Sequence, residues 1–450
     1  MYKKFSVLIK NKINRFNKKI TVDPDKSISH RAYIIASQCL GVSGISGLNS
    51  DDVKSTVNAL KKLGIKIIKK KGVDYVYGTG ISGFKKFKGI LNFQNSGTSA
   101  RSFLGVLTCF PFPVTITGDK SLKKRPFKRL TDYLEKIGAI INHPKNKKYS
   151  LPIKIQGTKD WALAQKHEVK IKSAQISSSI IYAALQTKGI TEIVESSETR
   201  DHLQRLLKSL NANIKIDENK GKRITKIEGQ VEMKNFSIKV PADPSSACFF
   251  VVQTLLSKKS SLLIKNVCVN KTRTGFVKIL KKMGGKIKIL NKKEYFGEPV
   301  ADLFIKSSNL RGINVPKKWI TSSIDDLVVI WIACAFAKGK SNFTGISELR
   351  LKESDRIKAM SEVLRKLKVK TNVKKNSLMI FGNPNIKIKK TLDVFPEKDH
   401  RIAMSFFCLG QILGGNIKIH NFETVNTSFP GFLNIMKKKI GAQFEIKKKY

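Results

Sequence analysis

The sequence predicts an α/β protein of two domains, each assembled from repeated units, and three observations carry that prediction. A helical stretch closed by an apolar–Gly type of turn and followed by an alternating strand recurs six times. The turns centre on Gly64, Gly138, Asn211, Gly284, Lys368 and Gly441, with successive separations of 74, 73, 73, 84 and 73 residues. Each unit also holds an earlier, more apolar helical stretch. A period this long exceeds that of a solenoid repeat and suits a small βαβ-type subdomain.

The apolar helices come first within each unit. In chain order they read SISHRAYIIASQCL (27–40), SGTSARSFLGVLTCF (96–110), QISSSIIYAALQT (175–187), PSSACFFVVQTLL (244–256), IDDLVVIWIACAFA (324–337) and HRIAMSFFCLGQIL (400–413). A Gly or Asn after the second helix is the residue expected at a left-handed cap, and Lys368 is the one turn without it. The stretches that follow, such as IKII (65–68) and KIKI (286–289), alternate as strands do. Three units on each side of VPADP (240–244) give the natural division into two domains. The longer fourth interval predicts an insertion around 289–320.

Composition narrows the class of protein. With 450 residues, 41% of them hydrophobic, the chain can bury more than one core. Its longest apolar run, Leu327 to Ala337, falls short of the ~18 residues of a membrane span. The first twenty residues are basic but have neither a signal-peptide apolar core nor a small-residue cleavage site. Six cysteines stand singly at 39, 109, 248, 268, 334 and 408, five of them in apolar runs. They read as reduced core thiols of a cytoplasmic protein, and the six histidines show no ligand spacing, so no metal is expected. The net charge of +53 would attract polyanions. Its lysines are spread evenly, however, without a basic tail or basic–aromatic patch, and abundant Lys, Ile, Asn and Phe fit an AT-rich coding bias. Charge alone therefore does not make nucleic acid the main partner.

In a chain with 72 lysines and 14 arginines, an arginine marks a task that lysine does less well. Its planar fork grips carboxylate or phosphate with two parallel hydrogen bonds and keeps its charge. Seven arginines fall at or just before a predicted helix start: Arg31, Arg101, Arg125, Arg200, Arg273, Arg356 and Arg401. The helix dipole disfavours a cation there, whereas a bound anion reverses the sign. Pairing with nearby acids (Asp52, Asp201, Asp355, Asp399) explains any one of them equally well. Seven at equivalent places favour a shared polyanion site.

Eight motifs then appear in order: KSISHR (26–31), NSGTSAR (95–101), GDKSLKKRP (118–126), SAQ (173–175), TRDH (199–202), IDD (324–326), LRLKESDR (349–356) and DHR (399–401). Together they resemble the 5-enolpyruvylshikimate-3-phosphate synthase family across nearly the whole chain. The resemblance implies a two-domain inside-out α/β barrel, each domain three βαβαββ units around a pseudo-threefold axis. One domain would span 22–241, the other 1–21 plus 242–450, with the active site in the cleft between them. The implied reaction joins shikimate 3-phosphate to phosphoenolpyruvate, with no cofactor and no metal. It calls for a base, an acid and dense positive charge.

Residue by residue, the resemblance makes Asp325 the base that takes the substrate hydroxyl proton; Asp326 beside it leaves a one-residue ambiguity, and helix capping is the ordinary role of such a pair. Glu353 matches the acid candidate, although a carboxyl placed between Lys352 and Arg356 on a helix N-terminal turn tends to ionise. Lys26 matches the lysine near the bridging oxygen of phosphoenolpyruvate. Arg125, Arg356 and Arg401 match the clamp on that substrate, with Gly97 backbone close to its phosphate and Gln175 in reach. Lys26, Ser27, Arg31, Ser173, Gln175, Arg200, Asp325 and Lys352 match the shikimate 3-phosphate positions, and Ala174 would contribute through its backbone. His400 matches a family histidine with a structural reading. Thr427 stands where some members have a lysine that contacts phosphoenolpyruvate. Gly97, not alanine, implies ordinary sensitivity to glyphosate. A monomer is expected. Two other readings stay open: a same-fold UDP-N-acetylglucosamine enolpyruvyl transferase, whose loop cysteine is absent from GDKSLKK, and a non-catalytic nucleic-acid-binding protein.

Overall fold

The computed structural model describes residues 4–144, 150–158, 162–388 and 390–448. The six-fold repetition is visible at the backbone. The more apolar helices are α1 (Lys26–Gln38), α3 (Gly97–Val106), α5 (Ala174–Ala184), α7 (Pro244–Leu256), α10 (Leu327–Phe336) and α12 (His400–Leu413). The amphipathic helices that follow them are α2 (Asp51–Lys62), α4 (Lys128–Ile137), α6 (His202–Ser209), α8 (Gly275–Lys282), α11 (Arg356–Lys366) and the short α13 (Phe432–Asn434), which runs on into a widened turn Ile435–Ile440. One further turn of helix, α9 (Lys317–Ile320), precedes α10.

All six turn residues take up positive φ: Gly64 at 90°, Gly138 at 123°, Asn211 at 53°, Gly284 at 97°, Lys368 at 58° and Gly441 at 81°. The hydrogen bonds behind them repeat as well. The amide after each turn reaches back to the last helical turn, as Ile65 to Leu60 O, Ala139 to Leu134 O, Ala212 to Leu207 O, Gly285 to Leu280 O and Val369 to Leu364 O. This is the 6→1 bond of a left-handed helix cap. In the sixth unit the bond runs from Ala442 to Met436 O, one residue longer, because the preceding turn is widened. Lys368 thus adopts the cap conformation without the residue type that favours it.

Among the described residues the strands form six small sheets, five of four strands and one of three. In the four-stranded sheets, three antiparallel strands carry one parallel edge strand. Parallel bridges at Arg311–Lys338 and Asn314–Asn342 stand at the equivalent edge of the three-stranded sheet. The extra length of the fourth interval lies in two long strands, Lys286–Tyr295 and Glu298–Lys306, and in the segment that follows them.

The chain separates into two compact units. One comprises Met1–Asp23, Pro241–Glu294 and Pro299–Tyr450; the other comprises Pro24–Val240 and Tyr295–Glu298. The N-terminal segment joins the first unit by strand pairing: Phe5–Ile9 pairs with Ile417–Ile419 and Glu445–Lys448, and Asn17–Ile20 pairs with Ser261–Cys268. In this unit α7, α10 and α12 pack on one another, and their residues are almost all buried. A helix apolar on every side, such as LVVIWIACAF, is stable only as an interior helix. In the other unit α3 packs against both α1 and α5. All six cysteines are buried free thiols. Among the described residues, no helix is long and apolar enough to cross a membrane.

Candidate active site

Several motifs stand at the N-terminal ends of buried helices, and carboxylates cap those ends. Asp25 caps α1 by accepting from Ile28 N at 2.8 Å, Asp243 caps α7 from Ser245 N at 2.7 Å, and Asp399 caps α12 from Arg401 N at 2.9 Å. Such caps satisfy amides that would otherwise lack partners, and they fix the residues that follow.

In the unit built from Pro24–Val240, Lys26 opens α1 and its Nζ donates to Asp52 Oδ2 at 2.8 Å. Arg31 lies one turn inside α1, not at its start as expected. Because helical side chains lean toward the N-terminus, its guanidinium still reaches Ser27 O at 2.9 Å, and it bridges to Ser178 Oγ on α5 at 2.8 Å. Arg101 is likewise one turn inside α3. It donates to Gln175 Oε1 at 2.9 Å and Pro126 O at 3.1 Å, and it stacks over Phe127 at 4.6 Å. Gln175 also donates to Thr98 Oγ1 at 3.2 Å. Arg125, three residues before α4, donates to Asn95 Oδ1 at 2.5 Å. A Cβ placed on Gly97 would lie 2.8 Å from Arg101 Nη1 and 2.9 Å from Arg125 Nη1, so glycine is what lets both guanidinium groups approach that backbone. Ser173 is the N-cap residue of α5 and Ala174 its first residue, both half-buried. Arg200, also half-buried, lies on the turn before α6.

In the other unit the expected residues come together closely. Asp325 Oδ1 lies 3.6 Å from Arg356 Nη1 and 3.8 Å from Lys352 Nζ. Glu353 Oε2 accepts from Arg356 Nη2 at 2.5 Å, and Asp399 Oδ2 accepts from Arg356 Nε at 2.8 Å. Arg401 Nη1 donates to the main-chain oxygen of Asp325 at 2.8 Å and lies 3.5 Å from Asp326 Oδ1. Glu353 falls in the bend before α11 instead of on its first turn, since Asp355 is the N-cap. Burial disfavours charge on Arg356, yet Asp399, then Glu353 and Asp325, hold its pKa above the ordinary value. Burial pushes the Asp326 carboxyl up to about 6, against the pull of Arg401. The two neighbouring aspartates are therefore distinct. Asp326, the N-cap residue of α10, is buried, whereas Asp325 is partly exposed with two cations beside it.

Two expectations need correction. Arg273 is buried and donates to Asp243 Oδ1 at 3.0 Å and Ser245 Oγ at 3.2 Å, so it braces the cap of α7 in the manner of the bland ion-pair reading. Of the four acids suggested as partners of the seven arginines, Asp399 does pair with one of them, Arg356, whereas Asp52 pairs with Lys26, Asp201 with Arg205 and Arg223, and Asp355 with Arg350. His400, buried at the start of α12, has Nδ1 3.4 Å from Thr427 Oγ1. Asn95 was visible inside NSGTSAR, and its contact with Arg125 gives it a role that the motif alone did not. The buried pair Glu195 and Arg223 lay outside every motif; only the choice of arginine in a lysine-rich chain hinted at it.

A carboxylate with two cations beside it is held ionised and can take a proton once an anion draws those cations away, and a group of Lys and Arg this dense suits an anionic ligand. Comparison with known proteins points the same way. Residues 10–436 match the family model described as EPSP synthase (3-phosphoshikimate 1-carboxyvinyltransferase). The 3-phosphoshikimate 1-carboxyvinyltransferase of Zymomonas mobilis subsp. mobilis is 40% identical over 444 residues, 98% of this chain and 97% of that protein. That of Petrotoga mobilis is 42% identical over 425 residues, covering 94% and 96%. The solved structure of EPSP synthase from Acinetobacter baumannii matches with a TM-score of 0.84 at 34% identity, covering 99% of this chain and 100% of that one. The enolpyruvyl transferase NikO from Streptomyces tendae, 12% identical with a TM-score of 0.74, shares the fold.

Proposed function

This chain belongs to the EPSP synthase (3-phosphoshikimate 1-carboxyvinyltransferase) family, and on that premise we propose how its own residues carry the reaction. The protein transfers the enolpyruvyl group of phosphoenolpyruvate to the 5-hydroxyl of shikimate 3-phosphate and releases phosphate, a step of the shikimate pathway. The observation that carries the residue assignment is the group formed by Asp325, Lys352, Glu353, Arg356 and Arg401, in which each side chain lies within 3.8 Å of another member or of its main chain.

Asp325 takes the proton of the 5-hydroxyl as its oxygen bonds to C2 of phosphoenolpyruvate. C3 receives a proton at the same stage, giving a tetrahedral intermediate. Loss of a C3 proton and of phosphate then restores the double bond. Glu353 is the acid for C3. Its hydrogen bond to Arg356 stabilises the carboxylate, so phosphoenolpyruvate must draw that guanidinium away before Glu353 holds a proton. Lys26 serves the bridging oxygen of the leaving phosphate. Its contact with Asp52 keeps it placed until that oxygen competes for it.

Arg125, Arg356 and Arg401 hold phosphoenolpyruvate, together with Gln175 and the Gly97 backbone. Shikimate 3-phosphate is held by Ser27, Arg31, Ser173, the Ala174 backbone, Gln175 and Arg200, with Lys26, Asp325 and Lys352 at its reacting side. The protein acts as a monomer in the cytoplasm; six buried free thiols suit a reducing compartment.

Phosphate release tests the reading. It is expected with phosphoenolpyruvate plus shikimate 3-phosphate and not with UDP-N-acetylglucosamine as acceptor. Asp325→Ala should lower kcat by about 10²–10⁴-fold while still binding shikimate 3-phosphate in calorimetry. Near-normal kcat in that variant would remove Asp325 as the base.

A further inference from the structure

Behind Arg200 and the start of α5 lies a buried charged group that no contact with substrate explains. Arg223, on the strand Lys222–Glu228, has Glu195 in register on the strand Ile190–Ser196 and Glu218 in register on the strand Ile214–Asn219. Its exposure is 0%. Nε and Nη2 donate to Glu218 Oε1 at 3.1 and 3.0 Å, and Nη1 donates to Glu195 Oε1 at 3.4 Å. The other donations go to the main chain: Nη1 to Thr199 O and Nη2 to Ser197 O, both at 2.9 Å. These two carbonyls bracket the turn that leads into Arg200. Asp201 Oδ2, on the far side of Arg200, lies 3.7 Å from Nη2.

Glu195 is occupied on its other side. Its Oε2 accepts from Ser177 Oγ at 2.5 Å and its Oε1 accepts from Gln204 Nε2 at 2.9 Å. Ser177 lies in the first turn of α5, two residues after Gln175, and Gln204 lies in the first turn of α6. One connected set of side chains therefore spans the Thr199–His202 turn, the start of α6 and the start of α5. Burying a charge pair is a poor route to stability, because apolar residues of similar volume commonly do as well. What this pair supplies is geometry. A planar guanidinium holds two carbonyls and two carboxylates at fixed spacing, which a lysine ammonium does not.

We propose that Arg223 and Glu195 are positioning residues for shikimate 3-phosphate: Arg223 fixes the turn that presents Arg200, and Glu195 ties that turn to the start of α5, where Ser173 and Ala174 stand. The proposal rests on the reading of Arg200, Ser173 and Ala174 given above. Neither Arg223 nor Glu195 touches substrate, so their loss acts on affinity for one substrate before it acts on chemistry.

The test is steady-state kinetics of the full-length Arg223→Lys, Glu195→Gln and Ser177→Ala variants, with Arg200→Ala in parallel and thermal unfolding as the check on folding. In Arg223→Lys, KM for shikimate 3-phosphate should rise about ten-fold while kcat and KM for phosphoenolpyruvate stay within about two-fold. Glu195→Gln should show the same split, and Ser177→Ala a smaller rise of about three-fold. An unchanged KM for shikimate 3-phosphate in folded variants overturns the proposal, as does a parallel change in both KM values and kcat. Should Arg223→Lys fail to fold, Glu195→Gln and Ser177→Ala decide by the same criterion. If Arg200→Ala itself leaves that KM unchanged, the placement of Arg200 at shikimate 3-phosphate is what falls. A raised KM in Arg200→Ala with none in the other three counts against this proposal alone.

Discussion

Gly97 does most by having no side chain. The two guanidinium nitrogens that a Cβ would meet, at 2.8 and 2.9 Å, belong to flexible side-chain ends, so an alanine displaces Arg101 and Arg125 without unfolding α3. Gly97→Ala is expected to raise KM for phosphoenolpyruvate about ten-fold, and to weaken glyphosate competition at least as much, with KM for shikimate 3-phosphate near normal. Equal glyphosate inhibition of both forms would show that the arginines reach the same place despite the methyl group. Asp326 makes a second residue-scale prediction. Burial lifts its pKa from 3.8 in the unfolded chain to about 6 in the fold. Between those values the folded state keeps a proton that the unfolded state has lost, so stability falls as pH rises through that window. The loss is about 3 kcal/mol at full extent and constant above it. Asp326→Asn cannot titrate, so urea unfolding should show the variant gaining on the parent as pH goes from about 4 to 6. A difference independent of pH would refute the assignment.

The left-handed turns show what local sequence can and cannot reveal. Five of the six carry Gly or Asn, and those five were legible from the residue type alone. Lys368 was found only by its spacing, yet it takes φ 58° and the same 6→1 hydrogen bond. A lysine tolerates that conformation because the unit around it leaves no alternative, at a strain of roughly 1 kcal/mol. Lys368 is exposed, so replacing it should remove strain without disturbing packing. Lys368→Gly is therefore expected to stabilise the protein by about 0.5–1 kcal/mol in denaturant titration, part of the gain being offset by the freer unfolded chain. A destabilised variant would mean that the lysine side chain contributes more than its backbone costs. Helix starts were less legible. Arg31 and Arg101 carry anion-facing motifs from one turn inside their helices, since the caps, Asp25 and Ser96, lie upstream of the residues that stood out. Glu353 was misplaced for the opposite reason, because the cap Asp355 starts α11 later than the motif suggested. Side-chain partners across the fold, such as Asp399 on Arg356 or Glu195 on Arg223, leave no periodic trace in the sequence at all.

At the scale of the whole molecule, charge is the property that sequence states most plainly and structure explains least. The fold can be read from a period of about 73 residues, and its six sheets and paired helices follow that period closely. The excess of lysine follows no such pattern. Exposed positions of strands throughout carry it, as in KIKILNKKEY (286–295), where all four lysines are exposed. Local pairing explains little of it, since 86 basic residues outnumber 33 acidic ones. What a net charge of +53 must do physically is raise the potential felt by any approaching anion, whatever the origin of the composition. Both substrates are multiply charged anions. At 0.01 M ionic strength the screening length is about 30 Å and the whole molecule contributes; at 0.15 M it is about 8 Å and only the site does. The association step should therefore respond to salt while the chemical step inside the site does not. We expect kcat/KM for shikimate 3-phosphate to fall about ten-fold or more between those two conditions with kcat changed by less than about two-fold. Exposed lysines far from the motifs should contribute in small equal parts, so that converting several of them to glutamine flattens the salt dependence without altering kcat. If kcat/KM is flat with salt, the distant lysines do not steer the substrate, and the arginines and lysines of the site account for its capture by themselves.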